Sequence, residues 1–272
     1  MIAPPAPPAT VSEKSTEELV QHVSASRLNT FHQCRLKFYF RYVLGIQKQK
    51  SSALHVGTTV HAVLQAWNRA RWKKQSVTTD DLHNVFEKSW REEQVDAPVN
   101  WDGDDEAKEM DAAWNLLRSY FSQNVIPHDE KPEGVEVPVE CDLSQHGLTR
   151  LVGIIDLVRR GGRIVDFKTS ATTPNPDRVV HLHETQLACY AVLYRDATAC
   201  NESGIELHHL IKQKTPKVVV TPLGPMTEAQ KTKLFRAVDS YLNGITRRDW
   251  IPSPNTFNCA CCEFWRECRA WS

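Results

Sequence analysis

Four cysteines near opposite ends of this 272-residue chain limit how it can fold. Cys34 lies near the start, whereas Cys259, Cys262 and Cys268 all lie within the last fourteen residues. Clustered cysteines in a reducing compartment are more often metal ligands than a disulfide framework. If all four bind one centre, the two ends of the chain must meet. Four thiolates suit either a [4Fe–4S] cluster or a tetrahedral Zn²⁺ ion, and the spacing alone does not decide between them.

The composition predicts a globular intracellular protein. Hydrophobic residues make up 41% and charged residues 24% of the chain, as in ordinary soluble domains. The formal net charge is zero, so a nucleic-acid partner would have to bind a local basic patch. No apolar run approaches the roughly 18 residues of a membrane span, and no secretory signal is visible. These features predict a cytoplasmic location and no membrane partner.

The hydrophobic pattern predicts a mixed α/β fold. Residues 1–22 are predicted to be a disordered, proline- and alanine-rich tail. Residues 23–272 are predicted to be one domain with a helical part (24–125), an α/β core (134–222) and a C-terminal helix and cysteine clasp (227–268) closing onto Cys34. The predicted helices are Arg27–Val43, Leu54–Lys73, Asp80–Gln94, Asp104–Gln123, Asp177–Arg195 and Thr227–Arg247, and the predicted strands are Gly134–Asp142, Leu148–Arg159, Arg163–Thr169, Ile205–Lys212 and Val218–Thr221. Their order indicates a central mixed β-sheet flanked by helices.

Two aspartates lie in a predicted β-hairpin. Asp156 is in the apolar strand LVGIIDLV and Asp166 is in RIVDFKTS, with the turn Arg160-Gly161-Gly162 between them. Two carboxylates side by side repel each other unless a cation lies between them. Lys168 is two residues beyond Asp166, so on a strand it points to the same face. An Asp-x-Lys string alone is common and usually marks a solvated strand end.

These groups match the chemistry of phosphodiester hydrolysis. Carboxylates, together with a backbone carbonyl such as that of Phe167, suit Mg²⁺ or Mn²⁺. Such a cation lowers the pKa of a water molecule, and Lys168 can orient that water. His61 can add an imidazole ligand from a helix, and Gln186 and Tyr190 share one helix face. Taken singly, each of these three is an ordinary residue of an amphipathic helix.

In order and spacing, these residues resemble one branch of a known superfamily. The series Gly57-x-x-x-His61, Gly153-x-x-Asp156, Asp166-x-Lys168 and Gln186-x-x-x-Tyr190 resembles the RecB-type branch of the PD-(D/E)XK nucleases, and so does the segment SASRLNTFHQCRLKFYFRYVLGI. The resemblance implies a restriction-endonuclease-like core with an N-terminal helical insertion. The metal ligands it implies are His61, Asp156 and Asp166, to which the Phe167 carbonyl is added. The catalytic residues it implies are Asp156, Asp166, Lys168, Gln186 and Tyr190.

The cysteines extend this resemblance. Cys259-x2-Cys262-x5-Cys268 with the distant Cys34 resembles the iron–sulfur clasp of RecB-type nucleases, such as AddB-like helicase–nucleases and CRISPR adaptation nucleases. The resemblance favours a [4Fe–4S] cluster, with Zn²⁺ as the competing interpretation. Cys261 is a second candidate ligand, and Cys262 is preferred because it restores the family spacing. The clasp is expected to be structural, tying the first helix to the C-terminus.

Basic and aromatic residues of the first helix are candidate DNA contacts. Arg35, Lys37 and Arg41 alternate with aromatic residues in RLKFYFRY, a composition that suits a single strand. Tyr190 is a further candidate DNA contact. The same charges would also be expected on a solvated amphipathic helix.

The leading hypothesis is a Mg²⁺- or Mn²⁺-dependent deoxyribonuclease. We expect an exonuclease acting on single-stranded or frayed DNA ends, in repair, recombination or related processing. The alternatives are a non-catalytic DNA-end-binding or scaffold module and a zinc-stapled regulatory protein. The sequence contains no GxxxxGK[ST] loop, so any unwinding would need a helicase partner.

Overall fold

The fold is taken from a computed structural model that describes residues 13–271 apart from residues 97 and 102. Its helices are α1 (Thr16–Val20), α2 (Ala25–Gln33), α3 (Arg35–Phe38), a π-helix (Tyr39–Val43), α4 (Ser52–Lys73), α5 (Thr79–Asp96), α6 (Glu106–Ser122), a 3-10 turn (Ser144–His146), α7 (Pro176–Thr198), α8 (Glu228–Thr246), α9 (Thr256–Ala260) and α10 (Trp265–Ala270). Its strands are β1 (His22–Val23), β2 (Lys50–Ser51), β3 (Val99–Asn100), β4 (Gly134–Cys141), β5 (Arg150–Arg159), β6 (Arg163–Ser170), β7 (Gly204–Ile211) and β8 (Lys217–Leu223). None of the helices in the described ranges is long and apolar enough to cross a bilayer.

The chain forms two compact units, each built from segments that are distant in sequence. The first contains the residues up to Lys48, the segment Asp142–Leu151 and the residues from Thr232 onward. The second contains Gln49–Cys141 and Val152–Lys231. The region predicted as one domain, residues 23–272, therefore comprises two units.

Aromatic side chains join the N-terminal and C-terminal helices of the first unit. Phe31 of α2 and Phe38 of α3 pack edge-on against Tyr241 of α8, with ring centroids 5.2 and 5.6 Å apart. The Tyr241 hydroxyl donates a hydrogen bond to the carbonyl of Leu19 at 3.0 Å. These contacts are buried, so they fix the first helices against α8.

Regular structure begins earlier than the sequence pattern predicts. In α1, Leu19 is only 1% exposed. His22 and Val23 pair in parallel with Arg150 and Leu151 at the start of β5. The prediction of a disordered tail is therefore wrong for residues 16–22, because one buried leucine and a strand pairing fix this segment. Residues 1–12 of the predicted tail lie outside the described residues.

Cys34 interrupts the helix predicted over Arg27–Val43. Its backbone is extended, with φ −164° and ψ 114°, although its N–H still donates to the carbonyl of Thr30. The break frees backbone donors at the start of α3, and the N–H of Leu36 is accepted by the carbonyl of Ile251 at 3.3 Å. The prediction of one continuous helix is wrong because this C-terminal segment provides the hydrogen bond that a helical carbonyl would otherwise provide.

The second unit contains a mixed β-sheet, as predicted. β4 pairs with β5, and β5 and β6 form an antiparallel hairpin. β6 and β7 are parallel, and β7 and β8 are antiparallel. Helices α4, α5 and α6 share one apolar core with this sheet; the core includes Val60, Trp67, Phe86, Leu117, Leu157, Phe167 and Leu210. The hydrophobic core thus holds α4 against the strands that carry the aspartates.

Two glycines permit close approach of helices to this sheet. A Cβ on Gly57 of α4 would lie 3.2 Å from the Thr169 hydroxyl oxygen of β6. A Cβ on Gly153 of β5 would lie 2.8 Å from a methyl carbon of Leu193 in α7. Both positions are tighter than a side chain ordinarily tolerates. These glycines bring α4 and α7 close to the strands that carry the polar residues.

Candidate active site

The two aspartates lie just beyond the paired part of the β5–β6 hairpin. Backbone pairing joins Leu157 to Val165, and Asp156 and Asp166 are the next residues on their strands. Here the Asp156 carboxylate accepts the backbone N–H of Phe167 at 3.0 Å. A side-chain oxygen thus takes the hydrogen bond that a strand carbonyl would accept, and the interaction fixes the direction of the Asp156 carboxylate.

His61 projects from α4 toward these strands. Its Nε2 lies 2.9 Å from the carbonyl oxygen of Phe167, and because a carbonyl only accepts, Nε2 carries a proton. Its Nδ1 faces an Asp156 oxygen at 3.6 Å. In the neutral ring this Nδ1 bears a lone pair, so two electron-donating atoms face each other. A cation between them would be stabilised by both.

Glu136 of β4 completes this group and was missed by the sequence analysis. His61, Glu136 and Asp156 each offer one ligand atom, and these atoms lie within 4.8 Å of one another. Burial, followed by the charge of Asp156, raises the pKa of Glu136. Glu136 also has a φ of +48°, a left-handed backbone that is uncommon outside glycine. The signal that could have revealed it is a carboxylate among the valines of GVEVPVEC, which parallels Asp156 in its own apolar strand.

The electrostatics of Asp156 also favour a bound cation. Burial raises its pKa, His61 opposes this effect, and Asp166 adds to it. A raised pKa means that the ionised form of a carboxylate is disfavoured, and a bound cation makes the ionised form favourable again. One imidazole, two carboxylates and the nearby Phe167 carbonyl form a donor set that fits Mg²⁺ or Mn²⁺.

Asp166 lies beside this group and is held by two other predicted residues. It is 1% exposed, and its two oxygens lie 3.0 and 2.8 Å from the Lys168 ammonium nitrogen. Gln186 accepts a hydrogen bond from Lys168 at 2.9 Å and donates one to Asp166 at 3.2 Å. The structure therefore brings Asp166, Lys168 and Gln186 into one hydrogen-bonded set. The predicted metal ligands were His61, Asp156 and Asp166. Among the described residues, the ligand atoms that lie within 4.8 Å of one another belong to His61, Asp156 and Glu136, and Asp166 is not in this group.

Tyr190 orients the side-chain amide of Gln186. Its hydroxyl accepts a hydrogen bond from the Gln186 amide at 2.8 Å, and the residue is only 7% exposed. Burial raises the pKa of Tyr190, so the phenol stays protonated. The ring is buried next to the Gln186 amide, so little of its surface is accessible, and contact between Tyr190 and DNA stays a prediction.

The four predicted cluster cysteines line one cavity of about 50 Å³ in the first unit. Cys34 and Cys262 are partly exposed, and Cys259 and Cys268 are exposed. Burial, and then the charge of Cys34, raises the pKa of Cys268, with further contributions from Cys262 and Cys259. Within the described residues, the ligand atoms that lie within 4.8 Å of one another in a group of three are those of His61, Glu136 and Asp156, and the cysteine sulfurs are not among them. Four cysteines at one cavity are a donor set of the kind that holds a Zn²⁺ ion or an iron–sulfur cluster.

Cys261 lies outside that cavity. The cavity is lined by Cys262 but not by Cys261, whose exposed thiol instead lies 3.8 Å from the carbonyl of Phe257. Cys34, whose extended backbone separates α2 from α3, lines this cavity. The geometry thus agrees with the preference for Cys262 over Cys261.

The three basic residues predicted to hold DNA are engaged in ion pairs. Arg35 pairs with Asp249, and Arg41 pairs with Glu263. Lys37 lies 3.0 Å from the same Glu263 carboxylate. These partners compensate much of the positive charge, so the helix offers a weaker phosphate-binding surface than its composition indicates.

The sequence profile of the PD-(D/E)XK nuclease superfamily matches residues 22–269. The match spans both the aspartates and the cysteines, and the chain therefore belongs to this superfamily. No curated protein matches the chain at a significant level.

Two solved structures are similar to this chain at low sequence identity. A candidate exonuclease from Eubacterium rectale is 16% identical, with 95% of this chain and 91% of that chain covered and a TM-score of 0.61. The protein SSO0001 is 13% identical, with 85% of this chain and 90% of that chain covered and a TM-score of 0.38. The first likeness supports the fold, and the second is too weak to carry an argument.

Proposed function

We propose that this protein is a metal-dependent deoxyribonuclease of the RecB-type branch, acting as an exonuclease on single-stranded or frayed ends. The observation that carries the proposal is that two groups of polar side chains lie side by side at the β5–β6 hairpin. One group, His61, Glu136 and Asp156, offers cation ligands. In the other group, the Lys168 ammonium lies against the buried carboxylate of Asp166. Asp166 is on the strand of the hairpin that pairs with the strand of Asp156.

Each side chain has a separate task in this proposal. His61 and Asp156 hold the cation, and Glu136 adds a second carboxylate. A divalent cation in this position would lower the pKa of the attacking water and neutralise charge on the phosphate. Lys168 orients that water and stabilises developing negative charge. Asp166 and Gln186 fix the ammonium group, and Tyr190 fixes Gln186.

For the cysteine centre we propose a [4Fe–4S] cluster held by Cys34, Cys259, Cys262 and Cys268. Support comes from their shared cavity and from the resemblance of their spacing to that of RecB-type nucleases. The cluster would be structural, because its ligands come from an early helix break and from the C-terminal helices of one unit. Zn²⁺ is the competing metal, and the visible spectrum distinguishes the two.

The test is cleavage of end-labelled DNA by anaerobically purified protein. We expect Mn²⁺ or Mg²⁺ to support degradation of linear single strands and EDTA to stop it. A circular single strand should resist, because an exonuclease needs an end. Lys168→Ala and Asp166→Asn should lower the rate by about a hundredfold or more. Lys217→Ala, an exposed strand lysine, is the matched control and should cut normally.

The non-catalytic alternative makes the opposite forecast. A DNA-end-binding module would retain labelled DNA without shortening it under any metal condition. Normal cleavage by Lys168→Ala would show that the hydrolytic site lies elsewhere. Cleavage of the circular strand at the linear rate would replace the exonuclease assignment with an endonuclease.

A further inference from the structure

Helix α4 presents a polar and aromatic stripe that starts at His61. Residues spaced four apart lie on one helical face, and His61, Gln65 and Arg69 have this spacing. Trp72 lies eleven residues after His61, which is about three turns, so it projects within about 20° of the same direction. At a rise of about 1.5 Å per residue, Trp72 is about 16 Å along the helix from His61.

The stripe ends at a shallow cavity of about 810 Å³. Trp72 lines it and is 46% exposed. The opposite wall is the loop Pro127–Glu133 together with Arg160 of the β5–β6 turn. All of these residues belong to the second unit, which also contains the candidate active site.

Hydrogen bonds from a buried arginine hold the loop that forms one wall of this cavity. Arg71, only 8% exposed, donates hydrogen bonds to the carbonyls of Pro127 and Glu130 at 2.8 and 2.6 Å. The same guanidinium stacks over Trp67, 4.5 Å from the ring centroid. Arg71 thus ties the loop to the last turns of α4, next to Trp72.

The unpaired charges in this cavity are mostly positive. Lys74, Lys131 and Arg160 line it, are exposed, and make no ion pair in the described part of the chain. Of its carboxylates, Glu130 is bound by Arg159 through two hydrogen bonds of 2.8 and 2.7 Å. Glu133 accepts the backbone N–H groups of the 160–162 turn at 2.8 and 3.1 Å. Those N–H groups carry no charge, so Glu133 keeps its negative charge, as Asp129 does. The charges of this cavity that have no ion-pair partner among the described residues are therefore three positive and two negative.

We infer that this α4 stripe and its terminal cavity bind the single strand that extends away from the active site, with a base stacked on Trp72 and phosphates on Lys74, Lys131 and Arg160. The inference rests on the proposed nuclease function and adds a substrate-binding surface to it. An exposed tryptophan among free cations suits a single strand, because every base has a stacking face and every nucleotide has a phosphate. The distance of about 16 Å corresponds to about five nucleotides of a stacked strand at about 3.4 Å each.

Binding and cleavage test the inference separately. Binding of a fluorescein-labelled 12-nucleotide oligothymidylate is followed by anisotropy in EDTA, where no hydrolysis occurs. We expect Trp72→Ala to weaken binding about fivefold or more and Trp72→Phe to restore most of it. Lys131→Ala should reduce the slope of log K against log[salt] by about 0.7. Lys88→Ala on α5 is the exposed-lysine control and should leave the slope unchanged.

Substrate length separates this surface from the catalytic groups. In Mn²⁺, Trp72→Ala should lower kcat/KM for the 12-mer about fivefold and leave cleavage of a thymidine dinucleotide unchanged, because the dinucleotide does not reach the cavity. If both Trp72→Ala and Lys131→Ala bind and cleave as the wild type does, the inference is overturned and the proposed nuclease function is not affected. An equal loss on the dinucleotide would also overturn it. Wild-type protein that never cuts but binds through Trp72 and Lys131 would overturn only the proposed function.

Discussion

The amide oxygen of Gln186 accepts a hydrogen bond from the Lys168 ammonium at 2.9 Å. The same amide donates to Asp166 at 3.2 Å, so Gln186 holds both members of an ion pair in one orientation. Lys168 is on β6 and Gln186 is on α7, and Gly153 permits the approach of α7 to the sheet. Lys168 is therefore positioned by a helix that supplies no predicted metal ligand.

Gln186→Ala should lower kcat more than it changes KM. The variant removes a hydrogen bond to a charged group, which contributes about 1.5–3 kcal/mol, or about 10- to 100-fold in rate if it is lost in the transition state. Steady-state cleavage of a labelled single strand measures this. Tyr190→Phe, which removes only the acceptor for the Gln186 amide, should have a smaller effect of the same kind. A change confined to KM would assign Gln186 to substrate binding.

Glu136→Gln should stabilise the metal-free protein and weaken its response to Mn²⁺. The carboxylate of Glu136 is half-buried beside Asp156, and its raised pKa shows that its charge is unfavourable without a cation. Thermal unfolding in EDTA should therefore give a higher Tm for the variant, and the Tm increase on adding Mn²⁺ should be smaller than in wild type. Glu140→Gln, on an exposed position of the same strand, is the control. An unchanged Mn²⁺ response in Glu136→Gln would exclude Glu136 as a ligand.

Serine substitution of the cysteines should separate ligands from bystanders. Cys34→Ser and Cys268→Ser should lose the brown colour and most of the iron, because each removes one of four thiolates around the cavity. Cys261→Ser should keep both, since Cys261 lies outside that cavity. Visible absorption and iron analysis of anaerobically purified protein are the measurements. Colourless wild-type protein with stoichiometric zinc would contradict the cluster and support the zinc interpretation.

The ionised Glu206 should contribute to the free energy of unfolding at neutral pH, and this contribution should be lost in acid. Burial opposes its charge, but hydrogen bonds with His208 at 3.0 Å and Arg159 at 2.9 Å outweigh this and lower the pKa from 4.5 to about 2. A lowered carboxylate pKa gives stability that is full above pH 4.5 and is lost as the pH falls toward 2. The shift corresponds to about 3 kcal/mol at about 1.36 kcal/mol per pKa unit.

Glu206→Gln should therefore flatten the fall in the free energy of unfolding between pH 5 and pH 2. Urea unfolding at several pH values measures this slope. Glu92→Gln changes a carboxylate that is 65% exposed and should keep the wild-type slope. A wild-type slope in Glu206→Gln would show that other carboxylates dominate the acid response.

The sequence predicted long periodic elements well because their burial pattern is local. Helix α4 and the β5–β6 hairpin lie within two residues of their predicted bounds, and the mixed sheet is confirmed. The helix break at Cys34 was missed because its cause, the carbonyl of Ile251, lies more than two hundred residues away. Helix α1 and strand β1 were missed because segments this short owe their structure to tertiary contacts.

The site residues show the same limit. Asp166, Lys168, Gln186 and Tyr190 are linked by hydrogen bonds and one ion pair. His61 and Asp156 both contact the backbone of Phe167, the residue that follows Asp166. Glu136 was missed because no motif includes it, and its proximity to Asp156 follows from β4 pairing with β5. The ion pairs of Arg35, Lys37 and Arg41 could not be predicted because their carboxylate partners are distant in sequence, and the role of these residues in DNA binding stays a prediction.

The interleaved composition of the two units has a consequence for synthesis on the ribosome. All segments of the second unit have been translated once Lys231 is made, whereas the first unit still needs residues from Thr232 onward. Until then Phe31 and Phe38 have no Tyr241 to pack against, and their apolar faces stay open to water or to chaperones. We therefore expect the second unit, with Asp156 and Asp166, to acquire its tertiary structure first. The first unit, with the four predicted cluster cysteines, should complete its folding last.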